Sequence, residues 1–370
     1  MSPRRIACIV QVQCVRTGPR PKEFCFHGRP FCVTSIRRMA VKYRSARMSK
    51  PEYPIEVSVV ICTRNRHDQL EETLDSLTKL QSSFPWEAII LDNASTDRTK
   101  EVIKAFEEIC PNAHYAYEAQ RGLGAARDTA WRSTRGKIVA FTDDDCILPA
   151  DYIDRVVEVF REDPELGFMG GRIELFDPDD APVTIDLRDH RVEIPAKAYV
   201  SAGMLQGANM AIRRDVLVKI GGFDRRLGAG TPFPCEDIDA VAAAVWAGYR
   251  GAYDPRPVIL HHHRRKAADV PDIMLSYDKG RGAYYMKYLL KTETRAAYIR
   301  GWWETSGPAH RPITWRRLGR EIASARAFLA QTTNHSKKIL WAGLLGLSEH
   351  FAKFAAELVR IVRFQKRVLP

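Results

Sequence analysis

The sequence predicts an α/β fold with a mainly parallel sheet, and two observations support this prediction. From Val57 to Thr142, short apolar runs typical of buried strands alternate with amphipathic stretches typical of helices. Polar clusters follow three of the predicted strands, at the point where each strand ends. Because ligands of such sheets collect at the carboxyl ends of the strands, we expect a binding site at this edge.

The predicted elements follow one another in a regular order. The strands are VSVVIC, WEAIILD, HYAYEA and KIVAFT, which are short and mostly apolar. The helices between them are DQLEETLDSLTKL, TDRTKEVIKAFEEIC and GAARDTAWRST. The first helix carries leucines at helical spacing, which would form one buried face: Leu70, Leu74, Leu77 and Leu80. This order predicts right-handed crossovers between parallel strands.

Beyond Pro149 the α/β pattern continues to about His263, and the character of the chain then changes. This second part contains GFMGGRIELF, GANMAIRRDVLVKIGGFD, CEDIDAVAAAVWAGYR and PVILHHH. The remaining residues have a mostly helical pattern with many basic and aromatic side chains. We therefore expect a leader at 1–50, an α/β domain at 55–264 and a helical C-terminal region at 265–370.

The positive charge of the chain is concentrated in the leader. The whole chain has 57 basic and 45 acidic residues, whereas its first 50 residues have 12 and one. The body is therefore nearly neutral, which argues against nucleic acid as a partner. The leader has no apolar run long enough for a signal peptide or a membrane span. We expect either a disordered extension or an over-called start, with Met48 as the natural first residue.

Three aspartates, Asp143, Asp144 and Asp145, directly follow the fourth predicted strand. Acids near a helix N-terminus are ordinary, and a helix starting near Pro149 would account for one or two of them. Three in succession at the end of a buried strand exceed that need. Because Mg²⁺ and Mn²⁺ prefer oxygen ligands and often bind carboxylates together with substrate phosphates, we predict a metal–diphosphate site here.

The first two strands end in the clusters TRN, from Thr63 to Asn65, and DNAST, which begins at Asp92 and Asn93. Such residues often serve in turns, but acids at this position also hydrogen-bond the ribose in nucleotide-binding folds. Further on, GLGAAR lacks the third glycine of a dinucleotide fingerprint and occupies the wrong turn for one. We interpret it as a glycine-rich segment that leads into a helix, and this helix would place Arg127 near a diphosphate.

Two further patterns carry candidate chemistry. The segment PCEDIDAVAAAVWAGY predicts a helix whose first turn holds Glu236 and Asp237, off its buried face. These acids either complement the helix dipole or provide a base that takes a proton from an attacking hydroxyl. The run HHH follows an apolar strand, so His261 and His263 share one face. They are either structural or supply a metal ligand.

The helical region contains two apolar stretches, AYYMKYLLK and KKILWAGLLGLSEHFAKFAAELVRIVRFQKR. Charged residues interrupt the second stretch, which makes it too polar to span a membrane. It is either packed on the α/β domain or amphipathic and lying on a membrane surface. We expect a cytoplasmic protein, with peripheral contact to the inner membrane face as the alternative.

Taken in order, these motifs resemble the family 2 glycosyltransferases, which have the A-type glycosyltransferase fold. The matching elements are VSVVICTRNR, LDNASTD, RGLGAARDTA, VAFTDDDC, GANMAIRRDVLVKIGGFD and CEDID…AGY, from Val57 to about His263. The resemblance implies a Rossmann-like domain that binds nucleotide-diphosphate sugars, a divalent cation (Mg²⁺ or Mn²⁺) and inversion at the anomeric carbon. The QxxRW element of processive polysaccharide synthases is missing from the sequence, so we expect a non-processive enzyme.

The resemblance also implies roles for individual residues. Asp237 would be the catalytic base, and Asp145 would hold the metal together with His261 or His263. Asp144 would contact the ribose. Donor binding is implied for the remaining candidates: Thr63, Arg64, Asn65, Asp92, Asn93, Arg127 and Asp143.

The expected acceptor is a hydroxyl of a glycan or of a lipid-linked molecule, as in polysaccharide or cell-envelope synthesis. Two alternatives stay open, a nucleotidyltransferase of sugar phosphates and a non-catalytic relative that binds nucleotide sugars. The first would need a glycine-rich basic loop early in the chain, and TRNRHDQLEE is not such a loop. Intact Asp145 and Asp237 argue against the second.

Overall fold

The computed structural model describes residues 55–305 and 315–331, together with two short antiparallel strands, β1 (Cys25–Phe26) and β2 (Arg29–Pro30). The expectation of a disordered leader or an over-called start therefore falls almost wholly outside the described residues. The second apolar stretch of the tail also lies outside them. Among the described helices, none is both long enough and apolar enough to cross a membrane.

Residues 57–143 form four strands connected by three helices. The strands are β3 (Val57–Thr63), β4 (Trp86–Asp92), β5 (Ala113–Tyr117) and β6 (Ile138–Asp143). The helices between them are α1 (Leu70–Thr78), α2 (Thr99–Ile109) and α3 (Leu123–Arg132). These four strands pair in parallel, so the alternation predicted from the sequence is confirmed.

The following part of the chain contributes strands of both directions. These are β7 (Cys146–Ile147), β8 (Leu166–Leu175), β9 (Val192–Ile194), β10 (Met210–Arg213) and β11 (Arg250–His261). The helices of this part are α4 (Tyr152–Glu162), α5 (Arg214–Ile220) and α6 (Glu236–Ala247). Three more helices follow, namely α7 (Val270–Leu289), α8 (Thr292–Thr305) and α9 (Trp315–Ala330).

The main sheet has the strand order β5-β4-β3-β6-β10-β8-β11-β7, and β9 pairs with β11. Strand β10 is antiparallel to both β6 and β8, whereas β8 and β11 are parallel to each other. The sheet is therefore mixed and mainly parallel, as predicted. Strand β10 lies at the centre of the sheet, between β6 and β8, which both precede it in the chain.

Side chains of the sheet alternate between two apolar cores. In β3, Val60 and Cys62 face one side, whereas Val59 and Ile61 face the other. Helices α3, α5, α6 and α7 cover the first face, and α1, α2 and α4 cover the second. Because both faces are covered, β3 and β4 are buried along their whole length. Polar side chains are left to collect at the strand ends.

Helix α7 connects the C-terminal helices to the α/β domain. A Cβ at Gly280 would lie 1.9 Å from the carbonyl oxygen of Pro234, so glycine allows α7 to touch the segment that precedes α6. Further along α7, Lys287 Nζ lies 2.8 Å from a carboxylate oxygen of Asp224 and 2.7 Å from one of Asp239. Helix α7 is thereby packed directly against the start of α6.

Candidate functional site

The carboxyl ends of β3, β4 and β6 lie side by side. Thr63 is paired with Asp92, and Cys62 is paired with Asp143. This register brings the three polar clusters predicted from the sequence to one edge of the sheet. The two acids that follow β6 are each 7% exposed, so they point into the protein and not into bulk water.

The loop after β3 is tied to the loop after β4. Asn65 has a φ of +54°, a left-handed conformation that asparagine tolerates. Its Oδ1 accepts a hydrogen bond from the N–H of Thr96 (2.8 Å), and its own N–H donates to Ser95 Oγ (3.0 Å). The exposed Asn65 therefore fixes the backbone on either side of it, from which Arg64 and Arg66 project.

Asp92 and Asn93 occupy the end of β4 and are almost fully buried. The Asn93 amide donates to the carbonyl oxygens of Glu118 (3.1 Å) and Gln120 (2.7 Å). Its Oδ1 accepts from the N–H of Gly122 (2.9 Å). Asn93 thus joins β4 to the turn before α3. A contact of Asp92 or Asn93 with a nucleotide ligand stays a prediction.

Two arginines neutralise the three aspartates after β6. Arg127 Nη2 lies 2.9 Å from Asp143 Oδ1. Arg66 Nη1 lies 3.0 Å from Asp144 Oδ1 and 2.7 Å from Asp145 Oδ2. The Arg127 side chain is 3% exposed, whereas the Arg66 side chain is 32% exposed. Adjacent like charges are tolerated here because a guanidinium lies against each carboxylate.

The two carboxylates beside Arg66 differ in their affinity for protons. Burial raises the pKa of Asp144 to about 7, although the positive charge of Arg66 opposes this shift, and the negative charge of Asp145 adds to it. Burial also disfavours the charged form of Asp145, but His261 and Arg66 outweigh burial and hold the pKa of Asp145 well below its usual range. A divalent cation bound here would stabilise the charged form of both acids and would lower the pKa of Asp144.

Asp145, Cys146 and His261 present ligand atoms within 4.8 Å of one another. Asp145 Oδ1 is buried and accepts no hydrogen bond from the described residues, although His261 Nε2 lies 3.2 Å away. Burial raises the pKa of the Cys146 thiol well above its usual range, so it stays protonated. A carboxylate oxygen and an imidazole nitrogen suit Mn²⁺ or Mg²⁺. Asp145 and His261 therefore fit a divalent cation.

The three consecutive histidines take different positions. The rings of His261 and His263 lie 5.0 Å apart, centre to centre, whereas His262 Nδ1 lies 2.6 Å from a Glu72 carboxylate oxygen. Burial and the neighbouring His261 lower the pKa of His263. In the neutral ring of His263, Nδ1 accepts from the N–H of Arg265 (3.0 Å), so Nε2 carries the hydrogen. His261 is consequently better placed than His263 to act as a metal ligand.

A second group of potential ligands consists of Asp177, Asp180 and His262. The ammonium of Lys266 already lies between the two carboxylates, 2.7 Å from Asp180 and 3.5 Å from Asp177. We therefore interpret this group as an ion-pair cluster and assign no metal to it.

Arg127 joins the aspartates to the start of α6. Its Nη1 donates to Glu236 Oε1 (2.9 Å), and its Nη2 donates to the carbonyl oxygen of Gly207 (3.1 Å). The N–H of Gly207 in turn donates to Asp237 Oδ2 (2.9 Å). A Cβ at Gly207 would lie 2.2 Å from Arg127 Nη1, so the contact requires glycine. The buried Arg127 thus connects Asp143, Glu236 and Gly207. Its contact with the donor stays a prediction.

The environment of α6 corrects one expectation. Glu236 is 5% exposed, so the expectation that it lies off the buried face is wrong. It is buried because its charge is balanced by Arg127. Asp237, in contrast, is only partly buried and borders the site.

Two residues at the site were not identified from the sequence. Arg66 follows the TRN motif directly, and the only sequence signal was its charge at a strand end opposite three acids. Tyr277, on α7, is partly buried, and burial together with the charges of Asp237 and Asp143 raises its pKa well above the usual value. No local pattern predicts the position of Tyr277, because it depends on the packing of α7 against the segment before α6.

Comparison with known proteins gives consistent sequence matches. The family model described as Glycosyl transferase family 2 matches residues 58–221. Glycosyltransferase AglE of Haloferax volcanii is 25% identical over 279 residues, which cover 73% of this chain and 88% of the relative. Matches to three other curated glycosyltransferases are shorter, and the chain spans 42%, 58% and 57% of their lengths.

Solved structures share the fold of this chain. The mannosyltransferase PcManGT from Pyrobaculum calidifontis, in complex with GDP-Man and Mn²⁺, has a TM-score of 0.52 at 18% identity, over 88% of this chain and 90% of that one. S. aureus TarS 1-349, in complex with UDP-GlcNAc, has a TM-score of 0.53 at 15% identity, over 82% and 88%. These likenesses confirm the predicted A-type glycosyltransferase fold.

Proposed function

We propose, from the premise that this chain belongs to glycosyl transferase family 2, that it moves one sugar at a time from a nucleotide-diphosphate donor to a hydroxyl of a glycan or lipid-linked acceptor. The proposed reaction depends on Mg²⁺ or Mn²⁺ and inverts the anomeric carbon. The observation that supports it most is the contact of Asp145 with His261 at the strand edge, to which Asp237 is linked through Gly207 and Arg127.

The donor side of the proposed site is the edge formed by β3, β4 and β6. The pairing of Thr63 with Asp92 supports a nucleoside pocket there, and the acids after β6 support a diphosphate position next to it. When bound by Asp145 and His261, a divalent cation would supply positive charge that stabilises the departing diphosphate.

The acceptor side is assigned to Asp237, because each of its carboxylate oxygens accepts one backbone N–H. Oδ2 accepts from Gly207 (2.9 Å) and Oδ1 from Ile238 (2.7 Å), which holds the carboxylate and leaves lone pairs for a substrate. Asp237 takes the proton of the acceptor hydroxyl while the hydroxyl oxygen bonds to the anomeric carbon. The bond from that carbon to the diphosphate oxygen breaks, and a single displacement inverts the centre.

The first experiment identifies the donor. Thermal unfolding is measured with a panel of nucleotide sugars and Mn²⁺, including GDP-mannose and UDP-GlcNAc, the ligands present in the two solved structures. A bound donor raises the unfolding temperature by mass action. We expect the shift to depend on Mn²⁺ and to disappear with a chelator.

The second experiment tests the base. We expect Asp237→Asn to keep donor and Mn²⁺ binding but to lose transfer by about 10²- to 10⁴-fold. Asp215→Asn is the matched control, because Asp215 is also an acid in the first turn of a helix, α5. Normal transfer by Asp237→Asn would show that the base is assigned wrongly.

The released product and the new linkage separate the alternatives. Nucleoside diphosphate as the product supports sugar transfer, whereas pyrophosphate would favour a nucleotidyltransferase. The anomeric configuration of the product, measured by NMR, tests inversion. Donor binding without turnover across a broad acceptor panel would favour a non-catalytic relative.

A further inference from the structure

The side chain of Arg66 lies against the two carboxylates of the proposed cation site, Asp144 and Asp145. A single nitrogen, Nη1, contacts both carboxylates, at 3.0 Å from Asp144 and 2.7 Å from Asp145. This is not the two-nitrogen, two-oxygen pairing that makes an arginine–carboxylate contact most specific. The contact therefore neutralises the two acids without the geometry of a permanent bidentate pair.

The backbone of Arg66 is fixed, although its side chain is not enclosed. Its N–H donates to Thr99 Oγ1 (3.3 Å), and its carbonyl oxygen accepts from the N–H groups of Gln69 and Leu70 (3.0 Å each) at the start of α1. The side chain is 32% exposed. Rotation about the side-chain bonds alone can therefore move the guanidinium away from the carboxylates, while the loop keeps its place.

A guanidinium and a divalent cation on these carboxylates would disfavour each other through charge repulsion, although they use different oxygens of Asp145. Both are positively charged, and their repulsion is strong in a partly buried site of low dielectric constant. Arg66 Nη1 uses Asp145 Oδ2, while Asp145 Oδ1 is without a hydrogen bond among the described residues. Arginine is also a preferred partner of phosphate oxygens, and the proposed diphosphate position adjoins the same edge.

We propose that Arg66 is an exchangeable counter-ion. Without a divalent cation, its guanidinium neutralises Asp144 and Asp145. In the donor complex it leaves these carboxylates and donates hydrogen bonds to the diphosphate of the donor. This inference rests on the proposed function, because it requires a cation and a diphosphate at the strand edge.

The test uses Arg66→Gln and measures two affinities separately. The first is the affinity for Mn²⁺ alone, from the electron paramagnetic resonance signal of free Mn²⁺. The second is the affinity for UDP and for GDP at saturating Mn²⁺, by calorimetry. Removal of the competing charge should strengthen Mn²⁺ binding, on the order of tenfold, and weaken nucleoside diphosphate binding by a similar factor. A merely structural arginine would not shift the two affinities in opposite directions.

Two control variants accompany it. Arg66→Lys keeps the charge and should stay close to the wild type in Mn²⁺ affinity. Arg155→Gln removes an arginine paired with Asp151 and Glu158 on the exposed side of α4, and should leave both affinities unchanged. Circular dichroism of each variant establishes that it is folded before binding is measured.

The outcomes distinguish this inference from the function on which it rests. If wild-type protein and Asp145→Asn both fail to bind Mn²⁺, the assignment of the cation site is wrong. The proposed exchange of Arg66 is then wrong as well. If Asp145→Asn abolishes Mn²⁺ binding but Arg66→Gln leaves it unchanged or weaker, the cation site stands and the exchange is overturned.

Discussion

The acidic run after β6 is neutralised in different ways at its two ends. At Asp143 the partner is Arg127, which is 3% exposed and is held by two further acceptors. At Asp144 and Asp145 the partner is Arg66, which is 32% exposed and reaches both acids with one nitrogen. A buried pair cannot replace a lost partner by water, whereas a solvated guanidinium can change its partner at little cost. One positive charge is therefore part of the fold, and the other is available to a ligand.

Removal of the buried charge should give the largest effect. Arg127→Met leaves Glu236 buried without a counter-ion, and we expect a loss of about 3–5 kcal/mol in the free energy of unfolding. Urea unfolding measures this loss. The double variant Arg127→Met with Glu236→Leu should recover much of it, because no unpaired charge then stays buried at Glu236. A loss no greater than that of Arg66→Met would remove the distinction between the two ends.

Gly207→Ala should destabilise the fold less than Arg127→Met and should also lower the rate of transfer. The added methyl group would clash with the Arg127 guanidinium. It would also displace the N–H of Gly207, from which Asp237 accepts a hydrogen bond. We expect kcat to fall about 10- to 100-fold with little change in donor affinity. Gly319→Ala is the matched control, since a Cβ at Gly319 would meet nothing within 4 Å. A fall in donor affinity at unchanged kcat would contradict the positioning role of Gly207.

The pair of Asp224 and Lys287 lies between the two extremes, because Lys287 is 19% exposed. Burial opposes the charged form of Asp224, but Arg226 and Lys287 outweigh burial and hold its pKa well below the usual range. The stability that this carboxylate contributes is present above its unfolded-state pKa, near 3.9, and is lost as the pH falls through its folded-state pKa. We expect Asp224→Asn to cost about 1–2 kcal/mol at pH 7.

The difference in unfolding free energy between wild type and Asp224→Asn should narrow below about pH 4, because Asp224 then takes up a proton in the unfolded chain but not in the folded protein. Urea unfolding at several pH values measures it. A difference that stays constant down to pH 2 would mean that the charge of Asp224 is not its source.

The smallest effect is expected where both partners are well exposed. Arg155, at 45% exposure, pairs with Asp151 and Glu158. Its replacement by Gln should leave the free energy of unfolding almost unchanged, because water and salt screen exposed ion pairs. A loss of stability as large as that of Asp224→Asn, measured in the same urea experiments, would show that exposure does not decide the strength of these pairs.

The strand-edge part of the site follows from local sequence. Thr63, Asp92 and Asp143 each end an apolar run, and parallel pairing brings such ends together without further information. The links between the clusters do not follow from local patterns. Glu236 is 109 residues from Arg127, and Gly207 is 30 residues from Asp237. These contacts depend on how separate elements pack, as does the burial of Glu236.

Strand β10 is likewise hidden from the sequence, because its four residues carry no pattern that indicates an antiparallel direction or a central position. The site residues His261 and Asp145 come together through the pairing of β11 with β7, and β7 has only two residues. Short strands of this kind are defined by their neighbours and not by their own periodicity.

The central position of β10 has a consequence for synthesis of the chain. Strand β6 ends at Asp143 and β10 ends at Arg213, 70 residues later. At roughly 5–20 residues per second, a ribosome needs about 4 to 14 s to deliver those residues. During this time one side of β6 exposes unpaired N–H and C=O groups, which are a template for pairing with other chains. While residues 144–213 are being translated, the nascent protein therefore presents an edge that favours aggregation.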